Sequence, residues 1–206
     1  DAFTDTLLGG KPADGGRLAE WLQDETMQQL AKDNNLSENA FFFNKEKTAY
    51  DIRWFTPELE IDLAGHPTLA TAFVIFNELG HDSDTITFHC KSGVLTVIKK
   101  GEQLEMNFPA RMPVACTPPD DLLKGVSIAP AKGLRSRDYF LVYNTQEEVE
   151  TLMVDFTYLN KVEPLGFIIT PKGHKANFVS RFFFPNFFTG EGPVPGSAHA
   201  NFITKL

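Results

Sequence analysis

The segment from Asp62 to Gly80 constrains the fold most, because it reads as one apolar helix with both of its ends marked. Pro67 suits the first helical turn, and Gly80 suits the left-handed position that follows the last turn. The apolar side chains between them point to nearly every side, and a helix of that kind is normally buried. At about 13 residues it is too short for a bilayer, which needs ~20. The sequence therefore predicts a central helix over residues 67–79 that other elements surround.

Two glycine-containing corners stand where this helix and a later one would begin. Gly65 and His66 precede the central helix, and Gly196 and Ser197 open a predicted final helix. The N-terminus of a helix presents unpaired backbone N–H groups and the positive end of the helix dipole, which together favour a carboxylate or a developing oxyanion. The two corners either mark two similar halves that face a common ligand or are a coincidence between common helix starts.

Charge and composition exclude several classes of protein. The formal net charge of −8 and the absence of a basic cluster argue against a nucleic-acid surface. No stretch is long and apolar enough to predict a membrane span, so cytoplasmic residence is expected. The two cysteines and five histidines have no metal-ligand spacing, so no metal site is predicted. The 19 phenylalanines indicate an aromatic core, with or without an aromatic pocket or partner interface.

Alternating apolar residues predict several strands around the central helix. In the first half, strands are expected at 50–56, 85–90, 94–99 and 104–108, with a helix at 24–32 that Asp24 would cap. Residues 9–16 are expected to form a loop. This loop contains a Gly-Lys pair, but Pro12 follows Lys11 where a phosphate-binding loop needs Ser or Thr.

The second half shows a similar set of short elements. Strands are expected at 139–143, 166–170 and 177–184, and Thr145 and Glu148 have the spacing of a capping box. The proline-rich stretch 111–119 predicts the boundary, with one domain at 1–114 and a second at 115–206. The fold class is therefore α/β of the α+β type, in which each half is a curled, mostly antiparallel sheet around a central helix.

Five segments give the chain a resemblance to a known family. They are DAFTD at the start, NNLSENAFFF, YDIRWFTPELEIDLAGHPTLATAFVIF, SRFFFP and GPVPGSAH. In this order they resemble the PhzF-like phenazine-biosynthesis family, which has the diaminopimelate-epimerase fold. The resemblance implies two pseudo-symmetric halves, an active site in the cleft between them, and a homodimer. It also implies cofactor-free isomerisation by proton transfer on a small carboxylate-bearing substrate, best known for dihydro-hydroxyanthranilate.

The same resemblance assigns roles to five residues. Glu38 in LSEN matches the family's acid/base glutamate, and His66 in GHPT and Ser197 in GSAH match its polar cleft residues. Gly65 and Gly196 match the corners whose backbone N–H groups would face substrate oxygens. A carboxyl group with a raised pKa can take up a proton and return it, and helix N-termini can stabilise the negative charge without a metal. On residue type alone, Glu38 could instead solvate a loop, and His66 and Ser197 could be simple helix caps.

Three departures from the family pattern leave a second function open. Gly192 and Pro195 stand where the family has a functional aspartate and a threonine, and family members continue well past residue 206. These differences favour an incomplete second half, or a catalytically inactive ligand-binding or interaction protein on the same scaffold. A racemase that uses two thiols is disfavoured, because neither glycine corner contains a cysteine. Arg181, on a predicted strand, could be a substrate clamp or a structural ion-pair partner.

Overall fold

The chain forms two compact units, Asp1–Pro109 and Ala110–Leu206. The computed structural model describes residues 2–4, 6, 9–109, 112–163, 166–174, 178–185 and 191–192. The sequence predicted the division after residue 114, whereas the strand that begins at Val114 already pairs within the sheet of the second unit. Within the described part of the chain, no helix combines the length and the apolar character that crossing a membrane requires.

Over its described residues, the first unit has two helices and seven strands. In chain order they are β1 (Asp14–Arg17), α1 (Asp24–Asn34), β2 (Asn39–Glu46), β3 (Ala49–Phe55), β4 (Glu60–Ile61), α2 (His66–Glu78), β5 (Thr85–Cys90), β6 (Gly93–Lys100) and β7 (Gln103–Asn107). The curled sheet has the order β1-β2-β3-β5-β6-β7, and β4 pairs with β3. Two strand pairs, β1 with β2 and β3 with β5, are parallel, and the other pairs are antiparallel.

In the ranges that the structure describes, the second unit has a six-stranded sheet and three short helices. Its elements are β8 (Val114–Ala115), α3 (Asp120–Lys124), β9 (Lys132–Arg135), β10 (Tyr139–Val142), α4 (Gln146–Thr151), α5 (Phe156–Leu159), β11 (Phe167–Thr170), β12 (Arg181–Phe183) and β13 (Glu191–Gly192). The described strands have the order β13-β12-β11-β10-β9-β8; β10 and β11 are parallel, and the other described pairs are antiparallel. The predicted α/β fold class, with curled and mostly antiparallel sheets, is confirmed.

Helix α2 lies against the sheet of the first unit and contributes to its main core. Ala72, Ile75 and Phe76 on the helix pack with Trp54 and Phe88 from the sheet. Complete burial of one large apolar side chain contributes about 1.5–3 kcal/mol, so this cluster is a main source of stability in the unit. The predicted bounds, Pro67 in the first turn and the left-handed Gly80 (φ +65°) after the last turn agree with the structure to within one residue.

The prediction that α2 is buried on every side is wrong for one face. Phe73 is 57% exposed and Val74 is 40% exposed, whereas the opposite face is buried. A single sheet covers only the stripe of the helix that it touches. The apolar character of the side chains on the other face of α2 therefore does not show whether that face is buried.

Two local predictions at the start of the chain are also corrected. Residues 14–16, expected in a loop, belong to β1, where Asp14–Arg17 pair with Asn39–Phe42. Asp24 is the first residue of α1 and not its cap, because its carboxylate pairs with Arg53 at 2.8 Å while Gln23 holds the cap position. Helix α1 ends at Asn34, two residues beyond the predicted end, and Asn35 follows it in the left-handed conformation (φ 51°).

The capping box predicted in the second unit is confirmed. The Thr145 hydroxyl accepts a hydrogen bond from the backbone N–H of Glu148, whose side chain accepts one from the backbone N–H of Thr145. Asp155 caps α5 by accepting a hydrogen bond from the N–H of Thr157. The strand expected at 177–184 is shorter, because only Arg181–Phe183 pair with β11. The predicted final helix near Ser197 lies outside the described residues.

Candidate active site

The candidate site is built on the N-terminus of α2. Gly65 is the N-cap residue, and its carbonyl accepts the first helical hydrogen bond from the N–H of Leu69 at 3.1 Å. The Thr68 hydroxyl donates to the carbonyl of Ala64 at 2.7 Å, which fixes the chain as it enters the helix. The N–H groups of the first turn have no partner within the helix, and the positive end of the helix dipole lies there. His66, the first helical residue, is therefore held in an electropositive corner.

Glu38 reaches this corner from the turn between α1 and β2. Its position depends on Asn39, which is completely buried at the start of β2. The Asn39 side-chain amide lies 3.5 Å from the carbonyl of Ala31 and 3.4 Å from that of Phe55. The Asn34 amide donates to the Asn39 side-chain oxygen at 3.0 Å. This buried asparagine joins the end of α1 to two strands and fixes the residue that precedes it.

The structure brings Glu38 and His66 together. Glu38 Oε2 lies 3.3 Å from His66 Nδ1, and the two side chains are 13% and 3% exposed. Both groups belong to the first unit, so this contact depends on the fold of that unit alone. A carboxyl group and an imidazole at this separation can share a proton by a hydrogen bond.

The imidazole of His66 is neutral near pH 7. Burial lowers its pKa from 6.5 to about 4, since the charged ring would lose its hydration. The positive charge of Lys11 lowers the pKa further, whereas the nearby backbone of Pro12 raises it. The contact with Glu38 is therefore one between a carboxyl group and a neutral imidazole, not an ion pair.

Two buried polar atoms close to this corner have no hydrogen-bond partner within the part of the chain that the structure describes. They are Nε2 of His66 and Oγ1 of Thr71, whose residues are 2% and 1% exposed. Thr71 faces β1, where a Cβ on Gly15 would lie 3.6 Å from its hydroxyl oxygen. Buried polar groups without partners are rare and mark places where a ligand or water can bind.

Sequence reasoning missed Lys11, Pro12 and Thr71 as neighbours of the site. Lys11 attracted attention only through a phosphate-loop motif that it does not complete, and Thr71 lies inside an apolar helical pattern. No periodicity relates residue 11 to residue 66, so the sequence pattern gives no sign that the charge of Lys11 acts on His66. Gly65 does lie at the predicted corner, buried at the N-cap of α2.

For the other residues named in the sequence analysis, the outcome differs from one residue to the next. Ser197 and Gly196 lie outside the described residues, so their assignment stays a prediction. Gly192 pairs with Phe182 at the edge of the second sheet, and a Cβ there would meet no atom within 4 Å. Arg181 is engaged in structural contacts: its guanidinium donates to both carboxylate oxygens of Glu191 and to the carbonyls of Val149 and Leu152.

A metal site is not apparent in the described ranges. No group of three or more His, Cys, Asp or Glu side chains there is arranged to hold an ion. Among the described residues, the corner offers the carboxyl group of Glu38, the neutral imidazole of His66 and the backbone donors of α2.

Comparison with known proteins shows the family. Residues 1–205 match the family described as phenazine biosynthesis-like protein, PhzC-PhzF. Two proteins of Pseudomonas aeruginosa, each named an uncharacterized isomerase, are similar to this chain. PA2770 is 42% identical over 201 residues, which is 98% of this chain and 77% of that protein. PA3578 is 40% identical over 204 residues, or 98% and 78%.

A solved structure agrees with this relationship. The crystal structure of a PhzF-family phenazine biosynthesis protein from Enterococcus faecalis superimposes with a TM-score of 0.84 at 42% identity, covering 98% of this chain and 78% of that one. These similarities place the chain in a class of mixed α/β proteins. Some of its curated relatives carry the name isomerase. The chain belongs to the PhzC-PhzF family of phenazine biosynthesis-like proteins.

Proposed function

We propose that this protein is a cofactor-independent isomerase that moves a proton on a small, carboxylate-bearing molecule. The observation that carries the proposal is the 3.3 Å contact between Glu38 and His66 at the N-terminus of α2. The isomerase names of its relatives support the reaction class. Glu38 is the acid/base group, and His66 orients the carboxyl group and the substrate.

The surroundings of Glu38 suit proton transfer. An isomerase of this type removes a proton from one carbon and returns it to another, and one carboxyl group can perform both steps. His66 is neutral at pH 7, so it can exchange hydrogen bonds with Glu38 without holding the carboxylate in a permanent ion pair. Shielding from water strengthens these interactions.

The N-terminus of α2 supplies the other requirement of the reaction. Removal of a proton from carbon leaves negative charge on the substrate, and fixed N–H donors stabilise that charge as it forms. The corner at Gly65 and His66 has such donors and the positive end of the helix dipole. From the sequence pattern, we assign Ser197 and Gly196 as further substrate contacts.

The direct test is incorporation of solvent deuterium into dihydro-hydroxyanthranilate and a panel of unsaturated cyclic carboxylates. The wild-type protein should catalyse exchange at a carbon, and Glu38→Gln should lower the rate by ~100- to 10,000-fold, the usual contribution of a general acid or base. Glu58→Gln is the matched control, since it makes the same substitution at an exposed residue and should keep the rate within a few-fold.

Two results would contradict the proposed function or the role of Glu38 in it. An active Glu38→Gln variant would mean that another group transfers the proton. A wild-type protein that binds these carboxylates without exchanging any proton would favour the ligand-binding alternative. That alternative has support at Gly192, where the family pattern has a carboxylate and this chain has none.

A further inference from the structure

The connection that carries Glu38 is short, and a side-chain hydrogen bond closes it. It consists of residues 35–38, between the last residue of α1, Asn34, and the first residue of β2, Asn39. The Asn34 side-chain amide donates to the side-chain oxygen of Asn39 at 3.0 Å, which joins the two ends of the connection. Glu38 therefore belongs to a loop whose ends separate only if that hydrogen bond breaks.

Asn39 itself has little freedom to move. Its backbone lies between two strands, opposite Asp14 of β1 and Phe55 of β3. Its side-chain nitrogen lies 3.5 Å from the carbonyl oxygen of Ala31 in α1 and 3.4 Å from that of Phe55. An asparagine amide has two N–H donors and one accepting oxygen, so both ends of this completely buried amide have partners. Because Glu38 directly precedes Asn39 in the chain, its backbone starts from a fixed point.

A carboxylate on β1 holds the exposed end of this arrangement. The side-chain amide of Asn34 donates to Oδ2 of Asp14 at 3.1 Å, in addition to its hydrogen bond with Asn39. Asp14 lies opposite Asn39 in the parallel pair of β1 and β2, so the pairing that places one of these residues also places the other. We call the side chains of Asp14, Asn34 and Asn39 the polar clamp. It connects the end of α1 to two neighbouring strands.

Glu38 depends on such support because of the contact that it makes. Its Oε2 lies 3.3 Å from Nδ1 of His66, and His66 is fixed separately by α2. The contact therefore depends on where the connection 35–38 lies relative to that helix. A displacement of about 1 Å in a reacting group can lower a rate by ~100-fold, so a small movement of the connection matters.

We propose that Asn34 and Asn39 are positioning residues, which hold the connection 35–38 so that the carboxyl group of Glu38 stays against Nδ1 of His66. They act through Glu38 and need no contact with the substrate. Their effect on catalysis rests on the proposed function, whereas their effect on the contact between Glu38 and His66 does not. Loss of the clamp should lower kcat and leave KM nearly unchanged, because the backbone donors of α2 remain in place.

Nitrogen NMR of the His66 ring tests the positioning without any turnover. A neutral imidazole whose Nδ1 has a fixed partner keeps its proton on one nitrogen, so its two ring nitrogens have well-separated chemical shifts. The wild type should show this pattern at pH 7, assigned by its absence in His66→Gln. Glu38→Ala removes the partner and should move the two shifts towards each other, as in a mixture of tautomers. Asn34→Ala and Asn39→Ser should move them in the same direction.

Gln29→Ala is the matched control. The Gln29 amide donates to Asp33 at 2.7 Å, so this substitution also removes a side-chain hydrogen bond from α1, but one without a link to β2. Its His66 signals should equal those of the wild type. Urea unfolding at pH 7 shows which variants are folded. Asn34→Ala changes an exposed helical residue to the best helix former, so it keeps the test decisive if Asn39→Ser fails to fold.

The kinetics of deuterium exchange give a second readout. Asn34→Ala should lower kcat by ~10-fold with KM nearly unchanged, and Gln29→Ala should behave as the wild type does. Three results would overturn the positioning role: wild-type His66 signals in a folded Asn34→Ala or Asn39→Ser protein, unchanged signals in Glu38→Ala, and an effect on exchange confined to KM. A wild type that exchanges no proton contradicts the proposed function and leaves the His66 signals to decide the positioning, so the two proposals fail separately.

Discussion

His66 is a buried histidine whose two ring nitrogens have different surroundings. Nδ1 contacts Glu38, whereas Nε2 has no partner within the described residues. Leaving a buried polar atom unsatisfied costs about 1–3 kcal/mol, which only a ligand, a water molecule or a functional requirement would offset. The arrangement is therefore costly for stability and suited to binding.

The lowered pKa of His66 predicts how stability depends on pH. The unfolded ring has a pKa of 6.5 and the folded ring has a pKa of about 4. Between these values the unfolded chain binds the extra proton, so stability present above pH 6.5 is lost as the pH falls towards 4. The contribution of His66 to this loss is on the order of 1–3 kcal/mol.

Urea unfolding at pH 7 and near pH 4.5 measures this effect. Carboxyl groups also titrate in this range, so the informative quantity is the difference between the wild type and His66→Gln. The variant should lose less stability on acidification. His174→Gln, at an exposed histidine, should behave as the wild type does. A His66→Gln variant with the full acid sensitivity of the wild type would show that this ring is not held neutral.

The connection before β1 is the element on which the position of Lys11 depends. Gly10 has a φ of +81°, and a Cβ there would lie 2.3 Å from the carbonyl oxygen of Ala2, which accepts the N–H of Lys11. Gly101 also has a positive φ, +62°, but a Cβ there meets nothing within 4 Å. Substitutions at these two glycines can therefore distinguish two contributions to the free energy of unfolding. One is the penalty of a left-handed backbone, and the other is the penalty of a steric clash.

Alanine at each position gives a matched pair of variants. Gly101→Ala should cost only the left-handed penalty of about 1–2 kcal/mol. Gly10→Ala should cost at least about 1 kcal/mol more, because the clash forces the pairing of Ala2 with Lys11 to open. The free energy of unfolding in urea provides the comparison, and both residues belong to the first unit. Equal losses would show that the Ala2 carbonyl does not constrain Gly10.

Elements with a clear apolar period were predictable, and elements that depend on distant partners were not. β5 was predicted at Thr85–Cys90 and is found there, since its alternation is complete within the segment. β1 was not predicted, because Asp-Gly-Gly-Arg has no apolar alternation and becomes a strand only by pairing with β2. Gly16 assists this pairing, because a Cβ there would lie 2.8 Å from the ring of Phe41.

At the scale of the whole molecule, the local sequence pattern and the family resemblance predicted different residues of the site. The pattern of the central helix located Gly65 and His66, but nothing local connects residue 38 with residue 66. Family motifs supplied that connection, and the contact of 3.3 Å agrees with it. The neutral state of His66 depends on burial and on the charge of Lys11, which no motif encodes.

In the proposed reaction, Glu38 and His66 act as one unit in proton transfer. A double-mutant cycle of deuterium exchange tests it directly, using wild type, Glu38→Gln, His66→Gln and the combined variant. Residues that act together have strongly non-additive effects. We predict that His66→Gln slows exchange and that the combined variant is no more than a few-fold slower than Glu38→Gln alone. A combined loss equal to the product of the two single losses would contradict the claim.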